Sequence, residues 1–285
     1  MGVPRPASSA TERLHRRSEA GAPREEPELA EGTDTPLAKP LNLIVSLTAS
    51  TPIRLIDEAR HAGASSADIV EWRADFLQSE SASESARIIE EIALALSGKP
   101  LLFTMRSPGE GGSTTLPAPA RPAVAEAALA SGHVDLVDIE VAQEDPLFAQ
   151  LDHDARDMGL LRIGSRHLDI TPSVAWMTDV LLEASERGYI PKLAVMAHTL
   201  ADAARLLEAT AAARAQGLLG PMITLAMGEV GRITRIVAPH FGSSAAFASV
   251  GQAAAPGQMP WDATERLLRA LVAYGLLPFE RVEGR

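Results

Sequence analysis

The sequence predicts one α/β domain, a (β/α)8 or TIM barrel, and three observations lead to this prediction. From residue 41 onward, short apolar runs alternate with longer segments of helical spacing, which indicates βαβ units and a parallel sheet. Eight apolar runs fall within roughly 240 residues, which suits a closed barrel better than an open sheet. No Gly-x-Gly-x-x-Gly motif or phosphate loop follows the first run, and this argues against the nucleotide-binding doubly wound folds.

The eight apolar runs are the predicted strands. In chain order they cover residues 41–47, 68–73, 100–106, 135–141, 159–165, 191–197, 221–227 and 245–250. The predicted helices cover residues 51–62, 83–97, 122–131, 146–158, 173–187, 200–216 and 262–274. Residues 229–241 are less regular and predict a short helix.

Start and stop signals support the helix assignments. Thr51-Pro52 and Thr171-Pro172 each offer an N-cap followed by proline at the first helical position, so both pairs predict helix starts. A glycine follows most predicted helices, at the place where a left-handed residue commonly ends a helix. These glycines are Gly63, Gly98, Gly132, Gly188, Gly217 and Gly275.

The composition limits the classes of function. The chain has 285 residues, 46% of them hydrophobic, and no cysteine, which excludes a disulfide framework, a thiolate nucleophile and a cysteine metal site. The lack of cysteine suits a reducing compartment, and we expect a cytoplasmic protein. A net charge of −11 argues against nucleic acid or an anionic membrane as the main partner. No apolar run approaches the length that spans a bilayer.

Residues 1–40 differ from the rest of the chain. They are rich in Ala, Pro, Glu, Arg and Ser, contain almost no large apolar residues, and lack the apolar core of a signal peptide. This composition predicts a disordered N-terminal extension. We therefore divide the chain into an extension over 1–40 and a catalytic barrel over 41–280.

One lysine lies inside a predicted core strand. The chain has only three lysines, and Lys192 falls in the apolar run 191–197. Burial can make a lysine neutral and nucleophilic, whereas arginine keeps its charge, so Lys192 is a candidate amine nucleophile. The alternative is a lysine that begins the strand and extends to solvent along its aliphatic stem. This stretch alone leaves both interpretations open.

Ionisable residues recur where four successive predicted strands end. The active sites of barrels lie at the C-terminal ends of the strands, and burying such groups is costly unless they are paired or functional. They are Glu71 and Arg73 on the second strand, Arg106 and Glu110 at and after the third, Asp138 and Glu140 on the fourth, and His167 in the loop after the fifth.

Six separated motifs share one order with a known family. They are Glu71-Trp-Arg-Ala-Asp75, Phe103-Thr-Met-Arg-Ser107, the segment around His167, Pro191-Lys-Leu-Ala-Val-Met196, Met227-Gly-Glu-Val-Gly-Arg-Ile-Thr-Arg235 and Ala255-Pro-Gly-Gln258. Over about residues 41–278, the chain thereby resembles the type I 3-dehydroquinate dehydratases. The resemblance implies syn-dehydration of 3-dehydroquinate to 3-dehydroshikimate through a lysine Schiff base. This reaction is the third step of the shikimate pathway for aromatic amino acids. The resemblance also implies a homodimer that uses no metal or organic cofactor.

The resemblance also implies a role for each matching residue. Lys192 corresponds to the imine-forming lysine, His167 to the general acid–base, Glu110 to the carboxylate that orients this histidine, and Arg235 to the arginine that binds the substrate carboxylate. The remaining substrate-binding positions are Ser46, Glu71, Arg73, Arg106 and Gln258, with Phe247 as an apolar wall. Ala254 is a departure, because the family usually has a serine there.

Two other functions compete with this one. A Schiff-base aldolase on the same barrel would cleave a carbon–carbon bond instead of releasing water, and its products would differ. A catalytically inactive barrel could serve as a binding or scaffolding module. The presence of Lys192, His167 and Glu110 together argues against the inactive barrel.

Overall fold

Eight parallel strands form a nearly closed barrel in the computed structural model, which describes residues 36–78, 81–142 and 144–277. The predicted (β/α)8 fold is confirmed. The strands are β1 Asn42–Leu47, β2 Ile69–Arg73, β3 Leu101–Thr104, β4 Leu136–Glu140, β5 Leu161–Leu168, β6 Ile190–Met196, β7 Ile223–Met227 and β8 Ala245–Ser249. A two-residue strand, β9 Met259–Pro260, pairs with β8.

Helices connect the strands and cover the barrel. They are α1 Pro52–Ala64, α2 Ala82–Ala95, α3 Arg121–Ala130, α4 Pro146–Asp157, α5 Val174–Glu186, α6 Leu200–Ala215, α7 Gly228–Gly231, α8 Thr234–Val237 and α9 Trp261–Ala273. Short 3-10 turns span Ala74–Phe76, Pro108–Glu110, Ala118–Ala120 and Ala238–Phe241. No helix in the described ranges is long and apolar enough to cross a bilayer.

The barrel closes between β7 and β8 through serine contacts. Each strand from β1 to β6 pairs with the next one in parallel, and β8 pairs with β1. At the remaining seam, the Ser244 N–H donates to the Met222 carbonyl at 2.6 Å. The Ser243 hydroxyl accepts from the Thr224 N–H at 3.1 Å. These contacts satisfy backbone groups that would otherwise be buried without partners.

The side chains inside the barrel change character along its axis. Near the N-terminal ends of the strands the interior is apolar, with Ile44, Ile69 and Leu102 among the buried residues. Successive residues of a strand face opposite sides, so Glu71 lies on the same face as Ile69, two positions further along. The apolar layer forms the floor of the barrel, and the charged residues lie above it.

Two predicted helix ends are wrong. Gly63 lies within α1, which continues to Ala64, and its backbone is not left-handed. The structure needs glycine there for another reason, the close approach of α1 to the end of α2. A Cβ on Gly63 would lie 2.2 Å from the Ala95 carbonyl oxygen, so only glycine fits. Thr171-Pro172 does not begin α5. Ser173 caps that helix by accepting from the Trp176 N–H, while the Thr171 hydroxyl donates to the Met196 carbonyl at 2.7 Å.

The prediction that His167 lies in a loop is also wrong. Strand β5 continues to Leu168, three residues beyond the predicted end, and His167 pairs with Ala194 of β6. The segment Ser165-Arg-His-Leu168 has a polar majority, so it lacks the apolar pattern that identifies a strand. Pairing with β6 keeps residues 166–168 in the strand, although their sequence does not predict one.

The chain ahead of β1 already belongs to the barrel floor. Leu37 is only 1% exposed and packs in the interior cluster with Ile44 and Ile69. Its φ of +65° lies in the left-handed region that favours glycine, so packing holds a backbone conformation that leucine rarely adopts. Most of the predicted extension, residues 1–35, lies outside the described residues. The division into an extension and a barrel therefore stays a prediction, with ordered packing present from residue 37.

We expect Leu37→Ala to lower the free energy of unfolding by about 2–5 kcal/mol, the usual cost of emptying a fully buried leucine site. Equilibrium unfolding in urea measures this change. Leu94→Ala is the matched control because Leu94 is 81% exposed, and its effect should stay within about 0.5 kcal/mol. If Leu37→Ala changed the free energy of unfolding as little as the control does, Leu37 would have no structural role in the floor of the barrel.

Candidate active site

A cavity of about 220 Å³ opens at the C-terminal ends of the strands, as expected for a barrel enzyme. It brings together all the residues predicted as catalytic or substrate-binding, which come from distant parts of the chain. They are Ser46, Glu71, Arg73, Arg106, Glu110, His167, Lys192, Arg235, Phe247 and Gln258.

Lys192 extends within the barrel to this cavity and not outward to solvent. The residue is the third of β6 and is only 5% exposed. Its Nζ donates to Asp138 Oδ2 at 2.8 Å and lies 4.6 Å from the centre of the Phe247 ring. The interpretation of Lys192 as a lysine that reaches bulk water from a strand end is therefore wrong. A buried amine beside an open cavity has the placement that a nucleophilic lysine needs.

A buried arginine neutralises the carboxylates around this lysine. Arg106 forms ion pairs with Asp138 at 2.8 Å and with Glu140 at 2.9 Å. Burial alone would raise the pKa of Asp138, but the charges of Arg106 and Lys192 outweigh it and hold this pKa far below its usual range. Asp138 is therefore ionised at neutral pH.

Glu110 holds His167 through two hydrogen bonds. Its Oε2 accepts from the His167 backbone N–H at 2.9 Å and lies 2.9 Å from the ring Nδ1. Glu110 ends the 3-10 turn Pro108–Glu110, and its own N–H donates to the Ser107 hydroxyl at 3.3 Å. A carboxylate beside Nδ1 favours the tautomer that carries the proton there, which leaves Nε2 as the basic nitrogen.

The His167 ring lies in an environment that disfavours its protonated form. Burial lowers the pKa of His167 well below the ordinary 6.5, and the positive charges of Arg106 and Lys192 lower it further, while Asp138 opposes them. The imidazole is therefore neutral at neutral pH and can accept a proton.

Two hydroxyl groups and an amide surround Glu71 on another wall of the cavity. Glu71 accepts from the Ser46 hydroxyl at 2.6 Å and from the Thr104 hydroxyl at 2.9 Å. The Gln258 side-chain amide donates to the same serine oxygen at 3.2 Å. This network presents acceptors and donors that suit a ligand carrying several hydroxyl groups.

Arg73 is fixed by a buried carboxylate. Its Nε and one terminal nitrogen donate to the two oxygens of Asp75 at 2.8 and 2.7 Å, a bidentate pair. The other terminal nitrogen donates to the Ala254 carbonyl at 3.2 Å. Ala254 thus contributes its backbone to the site, although it lacks the hydroxyl of a serine.

Arg235 on α8 is a buried cation suited to an anionic ligand. It is 3% exposed, and one terminal nitrogen donates to the Pro256 carbonyl at 3.1 Å. Within the described part of the chain, its Nε has no hydrogen-bond partner. Burial, assisted by Arg232, lowers the pKa of Arg235 to about 10, so the guanidinium remains charged at neutral pH. Leaving such a group unpaired is costly, and a bound carboxylate would satisfy it.

Five residues that support the site were not among the predicted binding positions: Asp75, Thr104, Asp138, Glu140 and Ser165. They hold the predicted residues in place through the contacts described above and a hydrogen bond from Arg106 to the Ser165 hydroxyl at 3.0 Å. The same-face spacing of Asp138 and Glu140 was a usable signal. Thr104 and Ser165 carried none, because small hydroxyl residues are common in strands. Across the described ranges, no group of three or more His, Cys, Asp or Glu side chains could hold a metal ion.

Sequence and structure comparisons lead to the same group of enzymes. Residues 43–274 match the family model described as Type I 3-dehydroquinase. The 3-dehydroquinate dehydratase of Klebsiella pneumoniae is 36% identical over 220 residues, covering 76% of this chain and 88% of that protein. The Bacillus licheniformis protein of that name is 33% identical over 232 residues, covering 80% and 91%. The crystal structure of 3-dehydroquinate dehydratase from Geobacillus kaustophilus gives a TM-score of 0.75 at 32% identity, covering 82% and 91%.

We expect the His167 ring to remain neutral at about pH 6, below the point at which an unperturbed histidine gains a proton. Nitrogen-15 NMR of the imidazoles measures this, and His167→Asn identifies the signals. The unfolded chain binds a proton on this histidine below about pH 6.5 that the folded chain does not, so His167 makes the fold less stable as pH falls through that value. A doubly protonated ring at pH 6 would contradict the prediction.

Proposed function

This chain belongs to the type I 3-dehydroquinase family and is a hydro-lyase, and on that basis we propose that it dehydrates 3-dehydroquinate to 3-dehydroshikimate through an imine on Lys192. The observation that carries the proposal is the buried Nζ of Lys192, which meets the same cavity as the His167–Glu110 pair and Arg235. An amine, a neutral imidazole and a guanidinium are the groups that this reaction needs.

The substrate binds with its carboxylate toward Arg235. The unpaired N–H of this guanidinium can form a charge-assisted hydrogen bond with a carboxylate oxygen. The hydroxyl groups of the substrate face the Glu71 network and Arg73, and Phe247 covers one face of the ring. These contacts place the ketone against Lys192 and convert a bimolecular encounter into an oriented reaction.

Lys192 then condenses with the ketone. The amine nitrogen attacks the carbonyl carbon to form a carbinolamine, whose hydroxyl leaves as water to give a protonated imine. His167 transfers protons in both stages, since its Nε2 is the basic nitrogen of the ring. The imine is a much better electron acceptor than the ketone.

Elimination follows from that imine. His167 removes the proton at C2, and the electron pair delocalises into the imine to form an enamine. The enamine then expels the β-hydroxyl group, which takes the proton from His167 and departs as water. Because one imidazole both removes and delivers the proton, the proton and the hydroxyl leave from the same face. Water finally hydrolyses the conjugated imine and releases Lys192.

Glu110 supports the histidine in each step. A carboxylate at Nδ1 fixes the orientation of the ring and stabilises the imidazolium that forms when Nε2 gains a proton. The assembly state and the compartment stay predictions, a homodimer in the cytoplasm, and size-exclusion chromatography with light scattering tests the first of them.

We expect borohydride to trap 3-dehydroquinate on Lys192. Reduction of the imine should add the mass of the reduced adduct to the peptide containing Lys192, and Lys192→Ala should lose both the adduct and turnover while still folding. Peptide mass spectrometry and an ultraviolet assay for the conjugated enone measure the two effects. The enone also separates dehydration from aldol cleavage.

Lys39→Met is the control for that experiment, because Lys39 is an exposed residue whose contact is an ion pair with Asp68. It should keep full trapping and activity. An active enzyme whose Lys192 remains unmodified after borohydride treatment would rule out the imine mechanism.

We expect Arg235→Ala to raise KM roughly 10- to 100-fold, since a hydrogen bond to a charged group contributes about 1.5–3 kcal/mol. Steady-state kinetics with 3-dehydroquinate measure the change. Arg232→Ala is the matched control, because Arg232 is exposed on the neighbouring turn and does not line the cavity. Equal effects of the two substitutions would contradict the assigned role of Arg235.

A further inference from the structure

A buried carboxylate lies behind Lys192, outside the set of residues that line the cavity. Asp138 on β4 is 1% exposed, and its Oδ2 accepts a hydrogen bond from Lys192 Nζ at 2.8 Å. The cavity exposes Lys192 but not Asp138, so a ligand reaches the amine without touching the carboxylate. Both partners are withdrawn from bulk water, where their attraction would be weaker.

The Asp138 carboxylate is oriented before any ligand binds. Its other oxygen, Oδ1, accepts from the Ser165 hydroxyl at 2.6 Å and from Arg106 at 2.8 Å. Ser165 on β5 is the direct neighbour of Lys192 in the sheet register. Three adjacent strands therefore fix the carboxylate, with Oδ2 directed at Nζ.

We infer that Asp138 is a positioning residue. Its carboxylate keeps the nitrogen of Lys192 positively charged both before and after the imine forms. This inference rests on the function proposed above. In the overall condensation, an ammonium and a ketone give a protonated imine and water. Two of the three ammonium protons leave with the ketone oxygen, the third stays on nitrogen, and the total charge is unchanged. Asp138 thus pairs with the same charge at both stages, and no net proton enters or leaves the site.

The next step moves that charge without removing it from the neighbourhood of Asp138. When His167 takes the C2 proton, the iminium becomes a neutral enamine and the imidazole becomes an imidazolium. Burial, Arg106 and Lys192 lower the pKa of His167, whereas Asp138 raises it, so the carboxylate stabilises the charged ring as well. Charged or titratable groups near Nζ include Asp138 from β4, Arg106 after β3 and His167 from β5, with the Phe247 ring from β8. Other charged residues line the same cavity, namely Glu71, Arg73, Glu110 and Arg235.

The free enzyme provides a first test that does not depend on the reaction. Because the chain has only three lysines, labelling with [ε-¹³C]lysine gives few NMR signals, and Lys192→Met identifies the one from Lys192. In the unsubstituted protein we expect the ammonium signal at about pH 7. In Asp138→Asn the same signal should move toward that of the neutral amine, because the opposite charge 2.8 Å from Nζ has been removed.

Glu140→Gln is the matched control. Glu140 is an equally buried carboxylate that also pairs with Arg106, but its hydrogen bonds go to Arg106 and Ser107 and not to Lys192. It should move the Lys192 signal much less. A neutral Lys192 in the unsubstituted enzyme at pH 7 would overturn the inference even if Asp138→Asn failed to fold. An identical Lys192 signal in Asp138→Asn and in the unsubstituted enzyme would also overturn it.

The second test uses the reaction. In Asp138→Asn we expect kcat for 3-dehydroquinate to fall roughly 100-fold, as for removal of one fixed electrostatic group in other active sites. KM should change little, because the side chain does not line the cavity. The yield of adduct trapped by cyanoborohydride, which reduces protonated imines, should decline at lower pH than in the unsubstituted enzyme. An unchanged kcat with unchanged trapping would overturn the inference. An inactive unsubstituted enzyme whose Lys192 signal still depends on Asp138 would count against the proposed function alone.

Discussion

The ion pairs of the buried Arg106 guanidinium are the interactions on which the charged cluster of this barrel depends. Arg106 pairs with Asp138 and Glu140, so two carboxylates can remain ionised inside a protein where an unpaired charge would be prohibitively costly. The same charge helps keep His167 neutral. Arginine does not lose its proton under any ordinary condition, so it supplies a constant reference charge while the groups around it exchange protons. A lysine at position 106 could lose its proton, so the positive charge beside Asp138 and Glu140 would itself depend on pH.

The parallel barrel gives this cluster its geometry. Adjacent strands place Glu140, Ser165 and Lys192 side by side in the register of β4, β5 and β6. Along each strand, alternate side chains face the inside of the barrel. Polar residues two positions apart in the sequence therefore both lie on the inner wall. Below them the apolar floor excludes water, and above them the cavity admits a ligand. The position of a residue along its strand therefore decides whether it stabilises the fold or takes part in chemistry.

The alternation of apolar runs with helical segments was sufficient to predict the fold, and the order of motifs, through the family resemblance, predicted ten of the residues that line the cavity. The strands were easy to identify because each is an apolar run ended by polar residues. The errors arose where tertiary contacts override the local pattern. Gly63 is needed for a close approach of two helices, and His167 lies on a strand whose end is polar. The ion pair between Lys192 and Asp138 was beyond prediction, because it depends on register and side-chain conformation across three strands. Sequence spacing placed Asp138 among the residues toward the C-terminal ends of the strands and Lys192 near the start of its own strand, so it could not pair them.

The two hydrogen bonds that Glu110 makes to His167 have a consequence for how substitutions at this position must be interpreted. One bond, to the ring, serves the catalytic role proposed for His167, whereas the other, to the backbone N–H, anchors the C-terminal end of β5. Removing the carboxylate would free the end of the strand at the same time as it released the imidazole. A loss of activity in such a variant would combine a misdirected base with a frayed strand. Glutamine keeps an acceptor for the backbone bond and removes only the charge, so the difference between glutamine and alanine at residue 110 separates the scaffold contribution from the electrostatic one.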